Sequence, residues 1–300
     1  YICLSHCWGE TQPITTTPET LHERKSSIAI DTLPKTYKDA IMLTRALSKR
    51  YLWIDSLCIV QAPHPNPDWE RESAKMGWIF RNAFCTISAS AATTGSEGCF
   101  SSELRFTKSV PVSVQCRTSD YSGTVFFSLI PSEKLLPNNS FREQMLKAPV
   151  NTRGWCLQEQ ILASRIIHCC PDQIYVQCNK HVVGENGYIF DYARKSPLPP
   201  LLKHFLPPPG IYCGHMKRCF YFNRAWCTVT EMYSHRHLTQ DSDRLPAISG
   251  LASALQLLVD DRYFAGLWLS CLHRQLLWFG YLDKQIYSPY RAPSWSWISH

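Results

Sequence analysis

The chain has 300 residues, 45% of them hydrophobic, the content of an ordinary globular protein long enough for two domains or one large domain with insertions. Its formal charge of +7 comes from 31 basic and 24 acidic residues without a run of five or six like charges, so the concentrated basic face of a nucleic-acid groove is not expected. No run of 18 or more apolar residues occurs, which excludes a membrane-spanning helix.

The opening YICLS (residues 1–5) already reads as a strand, so the chain is expected to begin inside a longer one. LPKTY (residues 33–37) opens a helix in which Tyr37, Ala40, Ile41, Thr44 and Leu47 recur at helical spacing, and YLWID (residues 51–55) is a second strand ending at a carboxylate. Pro67-Asp68 starts another helix with acidic first turns and a face formed by Trp69, Ser73, Met76 and Phe80. FCTISAS (residues 84–90) is a third strand. This alternation predicts an α/β fold: a mainly parallel sheet flanked by helices, because parallel neighbours need crossovers.

Residues 92–150 break the rhythm and read as an insertion holding an antiparallel pair, SVPVSVQC and GTVFFSLI. Helix signals return after Asn151 and Thr152, either of which can cap, and SRIIHC with QIYVQC reads as a hairpin around Pro171-Asp172. The α/β unit is expected over residues 1–180. A proline-rich linker follows over 181–210, since SPLPPLLKHFLPPPG has no regular secondary structure open to it. Residues 211–300 form a C-terminal mixed α+β region with helices around Trp226, over 251–259 and over 267–278, and an extended aromatic strand at APSWSWIS. The 14 cysteines are irregularly spaced and often sit in apolar runs, which predicts buried thiols, a reducing setting and a cytoplasmic chain.

In open α/β sheets ligands bind beyond the carboxyl ends of the strands, where the loops diverge. The first strand leads into SHCWGE, the second into DSLCIVQ and the third into SAATTG, so Ser5, Cys7, Trp8, Gly9, Asp55, Cys58 and Gln61 collect at one edge as candidate substrate-binding residues. Cys7 or Cys58 as a nucleophile would define a thiol enzyme. Against it, the adjacent His6 points away from Cys7 in an extended segment, and Asp55 raises the pKa of a nearby thiol. A zinc site at His168, Cys169, Cys170, Cys178 and His181, or at Cys213, His215, Cys219 and Cys227, lacks the paired Cys-x-x-Cys spacing, and no metal is expected.

NTRGWCLQEQ (residues 151–160) is the most informative stretch. On a helix, Glu159 lies about two turns in, Trp155 shares its face at i−4, and Gln158 adjoins it. A carboxylate beside an aromatic plane suits a ribosyl group, where the plane stacks a ring and the anion stabilises oxocarbenium-like charge. The alternative is packing, with Arg153 or Arg165 paired to Glu159 and Trp155 in the core.

Together, CLSHCWGE, LPKTYKDAIMLTRALSKRYLWIDSLCIVQ, DWERESAKMGWIFRNAFCTISASAA and RGWCLQEQILASRIIHC resemble the fungal heterokaryon incompatibility (HET) domain, in family order from residue 1 to about 170. YSHRHLTQDSDRLPAISGLA, YFAGLW and RAPSWSWIS look like the region often attached to its C-terminal side. The resemblance implies a role in fungal self/non-self recognition and programmed cell death, with self-association or another incompatibility protein as partner. The family is also distantly similar to TIR domains, which implies a flavodoxin-like sheet. Plant TIR domains carry Trp-Cys-Leu-x-Glu-Leu on the helix with their NAD-cleaving glutamate, and residues 155–159 follow that run, with Gln160 in place of the final Leu. By this likeness Glu159 is the catalytic residue of a NAD glycohydrolase, Trp8 or Trp155 stacks a base, loop amides near Gly9 receive phosphates, and Arg153, Trp155 and Gln158 join the substrate site. NAD enters as substrate, with no bound cofactor implied. The other reading is a non-enzymatic module that signals by self-association.

Overall fold

The computed structural model describes residues 1–9, 14–63, 65–100, 109–115, 122–128, 137–187, 189–191, 215–279 and 290–299. The expected proline-rich segment at 196–210 lies outside the described residues.

Seven strands form the main sheet: β1 (Ile2–Ser5), β2 (Leu52–Trp53) and β3 (Thr86–Ser88), then, after a separate antiparallel pair β4 (Ser109–Gln115) and β5 (Ser122–Ser128), β6 (Arg165–Cys169), β7 (Ile174–Cys178), β8 (His181–Gly184) and β9 (Ile189–Asp191). Their order is β2-β1-β3-β6-β7-β8-β9. The first four are parallel, with Ile2 opposite Leu52, Cys3 opposite Thr86 and Thr86 opposite Ile166. The last three continue as an antiparallel meander. The 2-1-3 start is the flavodoxin-like order, which opens a crevice between the carboxyl ends of β1 and β3 where the winding reverses. The meander carries the sheet to Asp191, past the expected unit end at residue 180.

A surface helix α1 (Leu21–Ser26) precedes α2 (Lys35–Ala46), which starts after Pro34 and buries Thr36, Tyr37, Ala40 and Thr44. Tyr37 and Ala40 pack with Ile2, Leu4, Ile54 and Ile87 against one face of the sheet. The other face carries α4 (Pro67–Ser73) and α5 (Met76–Asn82), after the single turn α3 (Asp55–Cys58) that follows β2. The one helix expected from Pro67 to Phe80 is two, broken at Ala74 and Lys75; Asn66 caps the first by accepting from Trp69 N at 3.1 Å. Helix α6 (Pro137–Lys147) and a 3-10 turn, Pro149–Thr152, lead to α7 (Gly154–Leu162).

Neither Asn151 nor Thr152 caps α7. Thr152 Oγ1 donates to Pro149 O inside the 3-10 turn, Asn151 Nδ2 donates to Met145 O, and the N-cap position falls on Arg153 without a side-chain cap. Eight of the nine residues of α7 are buried, because it has cover on both sides. Beneath it lies the sheet. Above it lie α8 (His215–Ser234) and α9 (Pro246–Val259), whose Phe222, Trp226, Val229, Leu251 and Leu255 share one core with Leu157, Ile161 and Leu162.

The tail departs from its sequence pattern. In place of one helix over 267–278 the chain has β11 (Leu267–Trp268), paired with the preceding β10 (Tyr263–Phe264), then a 3-10 turn and the single turn α10 (Leu272–Gln275). APSWSWIS is a turn ending in a 3-10 segment, not a strand: Ser296 Oγ donates to Ala265 O at 2.5 Å and Trp297 Nε1 to Gly266 O at 3.0 Å, so side chains pin it where no strand edge is offered.

Candidate functional site

Period-2 alternation along β1 builds the site. Ile2 and Leu4 face α2, while Cys3 faces Met76 and Phe80. Beyond them His6 turns to the α2 face, its ring edge-on to Tyr37 with centroids 5.1 Å apart. His6 Nε2 lies 3.1 Å from Tyr37 Oη, which lies 2.7 Å from Ser56 Oγ. Cys7 takes the opposite face, in a cluster with Phe141, Met145 and Cys156.

Asp55, at the head of α3, accepts from Trp8 Nε1 at 3.0 Å and from Ser56 N at 2.8 Å. His6 Nδ1 is 4.0 Å from it, but burial lowers the His6 pKa to about 4, so the imidazole is neutral at pH 7 and this is no ion pair. Arg153 donates to His6 O, and its guanidinium carbon stands 5.9 Å from the Trp8 ring centre. Burial opposes its charge, yet Cys156, Asp55, Glu159 and Cys7 hold its pKa above the usual value.

Glu159 projects from the second turn of α7 toward this strand end. It is 5% exposed, Ser5 is 1% exposed, and neither Glu159 Oε2 nor Ser5 Oγ has a partner at hydrogen-bond distance. Among the described residues no cation lies within ion-pair distance of the carboxyl; Arg165 instead donates to Phe84 O at 3.2 Å. Burial first, and the negative charge of Asp55 second, raise the Glu159 pKa to about 7, against the opposing pull of nearby Ser5, Arg153 and Cys156. The group thus changes charge near neutrality, in a position where a purely structural carboxyl would be paired.

Ser5, Cys7, Trp8, Asp55, Arg153 and Glu159 come together. The remaining candidates do not. Trp155 points its indole at Asp243, donating to Oδ2 at 3.0 Å, and packs edge-on to Trp69. Gln158 lies against α9, where a Cβ on Gly250 would come within 2.5 Å of its Oε1. Gln61 bonds locally, through its amide to Ile59 O and its backbone to Thr16 O. Cys58 is exposed on α3. Gly9, with φ +79, sits so close to the loop after β3 that a Cβ would meet Thr94 Cγ2 at 2.8 Å.

Burial raises the thiol pKa of Cys7 to about 11 and pushes that of Cys156 up as well, while partial desolvation and the charge of Asp55 raise that of Cys58. None is a ready thiolate at neutral pH. His168, one of the weighed metal ligands, bonds Gln177 at 2.7 Å, and among the described residues no group of three His, Cys, Asp or Glu side chains is arranged to hold a metal.

Sequence reasoning missed two members. Cys156 stood in the quoted stretch but reads as core, and Arg236 gave no signal because it is 83 residues from Arg153, whose carbonyl oxygen it binds at 3.1 Å.

No curated protein and no solved structure matches the chain. Residues 1–159, just over half of the 300, match the model of the Heterokaryon incompatibility protein (HET) family. That match runs from the strand that ends at Ser5 to the glutamate facing it, and the chain belongs to the HET family.

Proposed function

We propose that this HET-family chain acts in fungal self/non-self recognition and the cell death that follows, and that its chemical step is hydrolysis of the nicotinamide–ribose bond of NAD. The observation that carries the reading is the buried carboxyl of Glu159 at the switch point of the sheet, its Oε2 without a hydrogen-bond partner and its surroundings formed by Ser5, Asp55 and Arg153.

In this reaction the bond from ribose C1′ to the ring nitrogen breaks with its electron pair on nitrogen, so nicotinamide leaves neutral. The ionised form of Glu159 stabilises the cationic C1′. Water adds there, and its surplus proton passes to the carboxylate or to bulk water, leaving ADP-ribose. A carboxyl with pKa about 7 serves both steps near neutral pH. Trp8 offers the stacking plane and Arg153 the cation for the diphosphate.

The test is nicotinamide release from NAD by the purified chain, with Glu159→Gln as the isosteric control. We expect release to fall at least about a hundredfold in the variant, the scale of removing one electrostatic stabiliser. Undiminished release from a folded Glu159→Gln protein overturns the assignment. No release from the parent chain at high protein concentration overturns the enzymatic reading in favour of a self-associating signalling module.

A further inference from the structure

The helix that carries Glu159 is gripped by a segment outside the family-matched residues. After α8 the chain turns, and Arg236, 6% exposed, reaches both ends of the stretch around Glu159. Its Nη1 donates to Arg153 O at 3.1 Å, just before the first turn of α7, and its Nη2 donates to Gln160 Oε1 at 3.3 Å, one residue past the glutamate. The neighbouring backbone repeats the grip: Gly154 N donates to His237 O at 2.8 Å, and His237 N donates to Thr152 O at 2.6 Å, a short parallel bridge. Leu238 then closes on Gly154, where a Cβ would meet Leu238 Cδ2 at 2.6 Å.

A simple docking contact would not favour this charge at this place. The amino end of a helix is the positive end of its dipole and prefers anions, yet a buried guanidinium sits there, with Arg153 as a second cation. Burying a guanidinium is unfavourable unless its charge is answered. The described residues give Arg236 two neutral acceptors and no ion pair; burial opposes its charge, and Glu159 is the carboxyl whose charge favours it. Two-point geometry also fixes orientation better than a lysine ammonium would, because the guanidinium fork is planar.

We infer that Arg236 is a positioning residue for Glu159, holding the first two turns of α7 so that the carboxyl faces Ser5, and that the Glu159 site is completed by the C-terminal region. The effect on catalysis rests on the proposed hydrolysis; the effect on the carboxyl itself does not. Glu159 is faced by Cys3, Ser5 and Cys7 from the first strand and its extension, Asp55 from α3, Arg153 and Cys156 from its own segment, and Arg236 from above. Removing Arg236 takes away one of two cations and leaves the Asp55 carboxylate in place.

The experiment uses the full chain with Arg236→Gln, Arg236→Lys and Gln160→Leu. Glu159 is followed by carbon-13 NMR of glutamate-labelled protein, its signal assigned by loss in Glu159→Gln, and nicotinamide release is followed in parallel. In Arg236→Gln we expect the proton affinity of Glu159 to rise about fivefold, the scale of losing one cation at partly buried range, and kcat to fall with little change in KM. Arg236→Lys should restore the titration but not kcat, since it keeps the charge and loses the fork. Gln160→Leu, which leaves Arg236 in place, covers the case in which Arg236 variants do not fold, and should lower kcat along with a moderate drop in melting temperature, because the buried Nη2 loses its acceptor. An unchanged Glu159 titration in folded Arg236→Gln overturns the inference, as does an unchanged kcat in Gln160→Leu where the parent is active. If the parent releases no nicotinamide, the hydrolase reading fails alone, and the titration still decides the role of Arg236.

Discussion

Gly77 on α5 and Gly250 on α9 meet backbone to backbone: a Cβ on Gly77 would lie 2.9 Å from Gly250 Cα, and one on Gly250 would lie 3.1 Å from Gly77 Cα. The crossing lets α9 settle on the helices that line the sheet, and Gln158 of α7 is wedged beside it. Gly77→Ala should gain about 1 kcal/mol of helix propensity and lose about 1–3 kcal/mol to the forced separation, for a net loss. Denaturant unfolding decides this, and a variant as stable as the parent would show that the crossing can relax.

The raised pKa of Glu159 has a stability consequence of definite sign. The unfolded carboxyl titrates near 4.5 and the folded one at about 7, so between those values the folded state holds more protons, and stability falls as pH rises. The full loss, about 3 kcal/mol at most, is present above pH 7. Relative to the parent, Glu159→Gln should therefore gain stability progressively from pH 4.5 to 7 and then level off. A pH-independent difference would mean that the carboxyl is paired or hydrated in the folded chain.

His6 and His168 act in the other direction. Burial lowers both pKa values to about 4 from 6.5, so the unfolded chain binds more protons between those limits and stability is lost as pH falls through them. His168→Gln, measured by urea unfolding at pH 4.5 and 7, should narrow the difference between the two pH values even though it weakens packing against Phe141. An unchanged or wider difference would mean that His168 is already protonated in the native state.

Trp155 and Trp8 separate packing from binding. Trp155→Phe gives up the bond to Asp243 and should lower stability by about 1 kcal/mol while leaving the KM for NAD unchanged. Trp8→Leu should raise that KM. The reverse pattern would move the stacking plane from Trp8 to Trp155.

The thiols supply a negative control. With Cys7 raised to about 11 and Cys58 raised by partial desolvation and the charge of Asp55, a mild electrophile at pH 7 should label Cys7 and Cys58 no faster than free cysteine, with Cys58 and Cys227, the exposed thiols among the described residues, ahead of the buried ones. Rapid labelling of Cys7 would revive a thiol mechanism.

Much of the scaffold was legible because it is local. Tyr37, Ala40 and Thr44 repeat at helical spacing and bury one face of α2, and YICLS is a short apolar run that forms a strand buried on both faces. The break at Ala74 and Lys75 was not legible, since Trp69, Ser73, Met76 and Phe80 keep helical spacing across it. Strands β8 and β9 fell within the expected linker, drawn from the prolines that follow, because pairing with β7 and with each other is what makes them strands. At the site, the likeness to a glutamate-bearing helix singled out Glu159, and strand alternation put Ser5 and Cys7 on one side and His6 on the other. What surrounds the helix was hidden: Arg153 bonding His6 spans 147 positions, and Asp243 drawing Trp155 aside spans 88. Contacts of that range leave no trace in spacing.

Helix α7 is covered below by the sheet and above by α8 and α9, and the family match stops within it. The chain therefore has no neutral seam at residue 160. Exchanging everything beyond that point with the corresponding half of a relative would set Leu157, Gln158 and Glu159 against a foreign roof, with Gly250, Arg236 and Leu238 all replaced at once. The two halves form a single unit of inheritance: a change that refits the roof must be matched in the helix beneath it, and so in the setting of the glutamate.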